Sequence, residues 1–393
     1  MNYLYRIALL TFISGALVYA YRHNWIIIRM PFQHELPVHA LGADKKKVTI
    51  SRYTKHGLVA EPQQMLWEEG NLGRTAERLT NAYLTLLYEE NCIDQKIQLH
   101  GATTNSTNQE LYLNFSHALV PEDAPLYEKW MVLEGLLKTI RENIPEMKSV
   151  RFLVNHKPLM DHDLDFSRPW PIEGFMAPAP TSFAATHKQR AELCTIMLEP
   201  AGDAQYTGRI IDDAFERGIT LQCAQELKKI LEGICKQTRV ILSRFPGEVL
   251  EPLQNAAFAN RLKTDLYISL SMYQLPASKS DSPAEINIYY FLYHPVTDFW
   301  QRATTELACE PYHQAHKAAS QTSKACADKL FNNLHKTKPF AGKMNHCAGL
   351  PVKPLIGITA PSLLIEIGLP HKDSWQLLVT QLAQQIAEIQ ELI

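Results

Sequence analysis

The stretch TIMLEPAGDAQYTGRIIDDAFERGITL, residues 195–221, decides the fold of the C-terminal half of the chain. Thr195-Ile-Met-Leu198 is a short apolar run suited to a strand buried on both faces, and from Gly218 to Lys236 a helix is predicted because Leu221, Leu227, Ile230 and Leu231 recur on one side. The same order then repeats. Arg239–Leu242 reads as a strand and Val249–Leu262 as a helix, with Pro252 tolerable only in its first turn. Leu266–Leu270, Glu285–Tyr290 and Ser362–Glu366 read as further strands, and Ser374–Ile393 as a long C-terminal helix. Strands alternating with helices predict an α/β domain over residues 190–393, with a largely parallel sheet covered on both faces.

Upstream the pattern differs. Lys47–Tyr53 alternates like a strand, Asn71–Glu89 places Leu79, Tyr83, Leu86 and Leu87 on one helical face, and Glu110–Phe115 is again a strand. A helix over Lys129–Glu142 and a strand over Val150–Val154 follow, with turn chemistry at Asn155-His156-Lys157. A small α+β domain over residues 45–172 is the expectation, separated from the α/β domain by the Pro- and Ala-rich linker MAPAPT at 176–181. His156 and His162 lie near Asp161, Asp163 and Asp165, and this cluster reads as a polar loop of solvated acids rather than a metal site.

The uncharged run IALLTFISGALVYA, Ile7 to Ala20, sits between Arg6 and Tyr21-Arg22 and has the pattern of a membrane-targeting segment. Counted from Tyr3 to Tyr21 it approaches the ~20 residues that span a bilayer. Residues 1–30 are therefore assigned to a single-pass anchor, with a signal peptide cut after Val18-Tyr19-Ala20, and hence a secreted protein, as the alternative. An ordinary buried helix is a third reading, disfavoured by the position at the extreme N-terminus. Basic residues on both sides set no orientation.

Hydrophobic residues make up 46% of the 393 positions and charged residues 20%, enough apolar side chain for two folded cores. With 39 Lys and Arg against 41 Asp and Glu, the net charge of −2 provides no field to draw the molecule onto nucleic acid, so no nucleic-acid partner is expected. Seven cysteines without a C-x-x-C pair argue against a zinc ribbon and a dense disulfide framework. Cys309, Cys326 and Cys347 share one stretch in which a single disulfide is open, buried thiols being the default.

Residues 45–170 resemble the GerMN domain, an α+β module of extracytoplasmic bacterial proteins, some linked to sporulation. The likeness is carried by Asn114-Phe115-Ser116, by Trp130, Leu133, Leu137 and Ile140, by Val150–Val154, and by the closing Leu164-Asp-Phe-Ser-Arg-Pro169. Residues 190–393 resemble the zinc-dependent N-acetylmuramoyl-L-alanine amidases, which cleave the stem peptide from the glycan of peptidoglycan. Here the matching landmarks are Glu199-Pro200, Phe215–Leu221, Ser243-Arg244, Ala259–Ser269 and Pro361–Gly368.

That resemblance implies a zinc held by two imidazoles and one carboxylate, with a second carboxylate as base. The carboxylate ligand position is Glu216 and the base position is Glu366, but Gly202 and Ser271 stand where the two histidines belong. Ile356-Gly357 and Leu369-Pro370 also depart from the family pattern. The resemblance thus implies a domain without a bound cofactor, and Arg244, Asn260 and Ser271 remain candidates for lining a ligand cleft. The leading expectation is a non-catalytic cell-envelope protein on the periplasmic side of the inner membrane, binding peptidoglycan or an envelope protein. The alternative is a peptidoglycan amidase that rebuilds its metal site from Glu216 with His313, His316, or His346 and Cys347.

Overall fold

The computed structural model describes residues 45–393 apart from 55–56, 68–69, 94, 177–192, 250–251, 277–283, 294–311 and 337–343. The expected N-terminal membrane segment and most of the linker at 176–181 lie outside the described residues. Among the described residues no helix is long and apolar enough to cross a membrane.

The N-terminal part begins with an antiparallel ribbon, β1 (Lys45–Thr54) and β2 (Gly57–Leu66). Helix α1 (Leu72–Glu89) follows, capped by Asn71, whose side chain accepts the Arg74 N–H at 3.0 Å. A sheet of order β3-β4-β5-β6 is then built from Leu99–Thr104, Glu110–Phe115, Ser149–Val154 and Lys157–Pro158, with β7 (Trp170–Pro171) pairing β5. Helix α2 (Leu126–Asn143), entered through Pro125, crosses from β4 to β5 and so allows those two strands to run parallel.

Gly135 lets α2 approach the ribbon, since a Cβ there would stand 2.7 Å from both the Ser51 carbonyl and the Tyr83 hydroxyl. Gly135→Ala is expected to cost ~1–3 kcal/mol by overpacking, read from a urea unfolding curve; an unchanged midpoint would deny the contact.

The second sheet has the order β11-β8-β12-β15-β13-β14. Its strands are β8 (Cys194–Pro200), β11 (Thr238–Leu242), β12 (Leu266–Gln274), β13 (Glu285–Phe291), β14 (Met344–Leu350) and β15 (Ser362–Leu369). Neighbours run parallel except β13 against β15. Chain length explains the exception: too few residues separate β12 from β13 for the dozen or more that a parallel crossover needs. A small hairpin, β9 (Ile210–Ile211) with β10 (Ala214–Phe215), leads into α3 (Glu216–Ile234). The remaining helices are α4 (Pro252–Arg261), α5 (Ser320–Lys336) and α6 (Val379–Ile389).

Side-chain alternation divides this sheet between two cores. Ile196, Leu198, Ile268, Leu270, Ile288 and Ile365 join the apolar faces of α3, α5 and α6. Their neighbours Met197, Tyr267, Tyr289 and Leu364 turn the other way, into a cluster that also holds Leu113, Phe152, Trp130 and Leu133 of the N-terminal part. One sheet face is therefore covered by α4 and by the preceding α+β region, and Lys45–Ile393 forms one compact unit.

Among the longer elements β2, β3, α5 and β14 escaped the sequence reading, as did the two-residue strands β6, β7, β9 and β10. In β2 the pattern is weak because the ribbon is half-exposed and carries Pro62. The single helix expected over Ser374–Ile393 is instead a 3-10 turn (Ser374–Leu377), α6, and a second 3-10 turn (Gln390–Leu392). Cys326 and Cys347 are free thiols, so they do not pair with each other.

Candidate functional site

Ligands of open α/β sheets bind beyond the carboxyl ends of the strands, and there the expected site residues meet. Ser271 on β12 stands directly opposite Glu366 on β15, and Glu216 opens α3. Neither carboxylate is a surface acid: Glu366 is 0% and Glu216 3% exposed. Both oxygens of Glu216 are held by the fold, Oε2 accepting the Arg209 N–H at 2.9 Å and Oε1 the Met272 N–H at 2.7 Å. Glu366 Oε1 accepts the Leu126 N–H at 2.9 Å, a donor from the first residue of α2. Its Oε2 lies 3.5 Å from both Asn287 Nδ2 and the Tyr289 hydroxyl.

Between these acids lies the guanidinium of Arg209, only 6% exposed. Its Nη1 is 3.2 Å from Glu366 Oε1 and 4.0 Å from Glu216 Oε1. Nη1 has no directed hydrogen bond, so those contacts are electrostatic. Nη2 donates to Asp163 Oδ2 at 3.0 Å and to the Ala124 carbonyl at 3.1 Å. Asp163 in turn receives the buried Lys129 ammonium at 2.8 Å, which also donates to Asp161 at 2.7 Å and to the Glu122 carbonyl at 2.6 Å. Four carboxylates thus face two cations.

Burial raises Glu366, from an ordinary 4.5 to about 7, against the pull of Arg209 and the Leu126 N–H. Burial likewise raises Glu216, again opposed by Arg209. For Asp163 burial is outweighed by Arg209 and Lys129, and the net shift is downward. Burial lowers Lys129, yet Asp163 and Asp161 overcome it and hold the ammonium above its usual range. Within the cluster, burial therefore disfavours the charged forms of Glu216 and Glu366, whereas the two cations favour the charged form of Asp163.

The loop at 161–165 is accordingly corrected: it is no group of solvated acids. Asp161 and Asp165 are buried, Asp161 Oδ1 caps the N–H groups of Asp163 and Leu164, and Asp165 Oδ1 accepts the Ser167 N–H. His162 stacks on Tyr206 at 3.6 Å and pairs with Glu122 at 3.0 Å, and the His156 N–H binds Asn114.

The other candidates also have internal duties. Arg244, expected in a cleft, donates to the carbonyls of Pro200, Ala201 and Arg217. Asn260 ties down a loop through the Gly357 carbonyl and Thr359. His316 packs on Phe291 within a 3-10 turn, while the side chain of His313 lies outside the described residues. His346 stacks on Tyr127 at 3.5 Å and is pushed down to about 4 by burial. Burial pushes the Cys347 thiol up to about 12, and Asp328 beside it adds to the shift.

These residues do not fit a zinc ion. Gly202 has φ +75°, and a Cβ there would meet Arg217 Cβ at 2.8 Å, so this backbone has no room for a ligating side chain. Ser271 supplies a hydroxyl in place of an imidazole, and the two carboxylates are committed to backbone N–H groups and a guanidinium. Sequence reasoning missed Arg209, Asp163, Lys129 and the Leu126 N–H. A pair of buried acids deprived of a metal requires another positive charge, and Arg209, lying between Gly202 and Glu216 in sequence, was the available signal.

The six-stranded, mostly parallel sheet with two buried carboxylates at its carboxyl end forms an α/β domain. Residues 196–390 match the profile of the N-acetylmuramoyl-L-alanine amidase family. Similar solved structures include the catalytic domain of CwlV, an amidase from Bacillus (Paenibacillus) polymyxa var. colistinus, at 16% identity and TM-score 0.33 over 50% of this chain and 95% of that one. AmiC2 of Nostoc punctiforme gives 15% and 0.34 over 51% and 96%. The CwlD amidase of Clostridioides difficile, solved in complex with the GerS lipoprotein, gives 17% and 0.34 over 50% and 93%. The chain has no match among curated proteins.

Proposed function

We propose that this chain is a non-catalytic cell-envelope scaffold, anchored in the inner membrane by its N-terminal segment, in which a GerMN-like module has docked permanently into the cleft of an amidase-like domain. The observation that supports this reading is Arg209, whose guanidinium bridges Glu366 of one part and Asp163 of the other where the resemblance implies a metal. The Leu126 N–H and Ala124 carbonyl reach into the same place and Glu366 is 0% exposed, which supports a cleft closed to a stem peptide. Without a metal-bound water, amide hydrolysis has no activated nucleophile.

Purified protein incubated with sacculi and added zinc is expected to release no soluble peptide or glycan. Release that a chelator abolishes would establish the rival reading, an amidase with an altered metal site, which the retention of both carboxylates favours. Restoring histidine at the lost positions is expected to fail as well. Gly202→His should cost ~1–3 kcal/mol through its left-handed backbone, seen as a lowered thermal midpoint, and Gly202→His with Ser271→His should bind no zinc by calorimetry while Arg209 remains. Tight stoichiometric zinc in that double variant would contradict the assignment of Arg209.

A further inference from the structure

A groove of about 900 Å³ lies along the outer edge of the six-stranded sheet, between α3, β11 and α4, and belongs to neither the carboxylate cluster nor its surroundings. Its size is at the upper end of the ~300–1,000 Å³ typical of ligand pockets. Strand addition does not explain it. The outward N–H of Val240 is already accepted by Glu232 Oε1 at 3.0 Å, and its carbonyl takes Lys228 Nζ at 2.8 Å, which blocks the free edge of β11.

The charged lining is three bases, Lys228, Arg239 and Arg261, against one acid, Glu248, whose Oε2 accepts the Phe245 N–H at 2.7 Å. Phe245 and Phe258 form apolar surfaces, and Phe245 is 64% exposed, far more than an aromatic ring with a packing role. Arg239 and Arg261 contribute guanidinium groups that have no carboxylate partner among the described residues, Arg239 donating to the Thr195 hydroxyl at 3.3 Å. Asn255, 5% exposed, leaves its Oδ1 without a hydrogen-bond partner in the wall, although its Nδ2 donates to Glu199. That Oδ1 is shielded from solvent, so Asn255 closes the wall and the exposed aromatic and guanidinium groups carry the contacts.

We propose that this groove binds an acidic–apolar peptide segment of a partner protein, its carboxylates paired with Arg239 and Arg261 and an apolar side chain held between Phe245 and Phe258. The apolar walls favour such a segment over a peptidoglycan stem peptide, whose short aliphatic groups would leave much of the volume unfilled. The inference rests on the reading that the cleft at Glu366 is closed, which leaves the scaffold to recruit its partner elsewhere.

The test uses the capped tetrapeptide Glu-Leu-Phe-Glu, titrated calorimetrically into the intact protein, with Gln-Leu-Phe-Gln and a stem tetrapeptide as comparisons. Saturable binding of the acidic peptide is expected. The glutamine version, and the Arg239→Ala and Arg261→Ala variants, should each bind about tenfold or more weakly, as expected for losing charge-assisted hydrogen bonds. Both arginines are exposed, so thermal unfolding of the variants should match the parent; Arg261→Glu gives a second, charge-reversed check. No saturable binding, equal binding of the glutamine peptide, or equal affinity in both variants overturns the site. Binding of the stem peptide alone overturns the choice of ligand. Peptide release from sacculi would instead count against the closed cleft, so the two readings fail separately.

Discussion

Replacing Arg209 by alanine is expected to destabilise the protein by ~3–5 kcal/mol, because it leaves a buried group of carboxylates without its central cation. Three acids contact that guanidinium, at 3.0 Å (Asp163), 3.2 Å (Glu366) and 4.0 Å (Glu216), and all are shielded from water to differing degrees. Asp163 keeps Lys129 as a partner, whereas Glu366 would keep only neutral donors. The loss should therefore be smaller in acid, where the glutamates take up protons, and larger above neutrality. Adding Glu366→Gln to Arg209→Ala should recover part of the loss, since the amide removes the charge and still offers an oxygen to the Leu126 N–H. Denaturant unfolding of both singles and the double variant measures this coupling. A loss below about 1 kcal/mol for Arg209→Ala, or strict additivity, would mean that the bridge contributes little.

The second large effect is a dependence on pH that belongs to Glu366. Its folded value of about 7 lies above the ordinary 4.5, so the folded state holds this proton more tightly than the unfolded chain does. The stabilising contribution is complete below 4.5 and is lost as pH rises through about 7. A separation of this size corresponds to about 3 kcal/mol. Glu216, also raised, acts in the same direction; Asp163, lowered, acts oppositely and only in acid, below its ordinary value. His346, depressed to about 4, opposes the trend, for its contribution is lost as pH falls from 6.5 towards 4. The informative comparison is therefore between parent and Glu366→Gln, with unfolding measured from about pH 5 to about pH 8. The parent should lose stability relative to the variant across that range. Parallel profiles would contradict a buried, protonated Glu366.

Much of the architecture was legible because it depends on local pattern. The apolar run at Thr195–Leu198 is buried on both faces of the sheet, and Leu227 and Leu231 pack into the core beneath it, while Leu221 is buried outside that cluster. The antiparallel placement of β13 was not read, although the short connection from β12 implies it. Of the site, Glu216, Glu366, Gly202 and Ser271 were singled out only through the resemblance to the amidases. What fills the site was not, because it is assembled from remote segments: the Leu126 N–H is 240 positions from Glu366, and Asp163 is 46 from Arg209. Asp161 and Asp163 looked like solvated acids since nothing local to them shows Lys129 arriving from α2. Pattern reports burial faces; the pairing of buried charges across the molecule leaves no periodic trace.

Zinc titrated into the intact purified protein, followed by metal analysis after gel filtration, tests most directly whether a guanidinium has replaced the metal. No stoichiometric zinc should be retained, and Glu216→Ala should leave that result unchanged. One zinc per chain, lost on Glu216→Ala, would contradict the account.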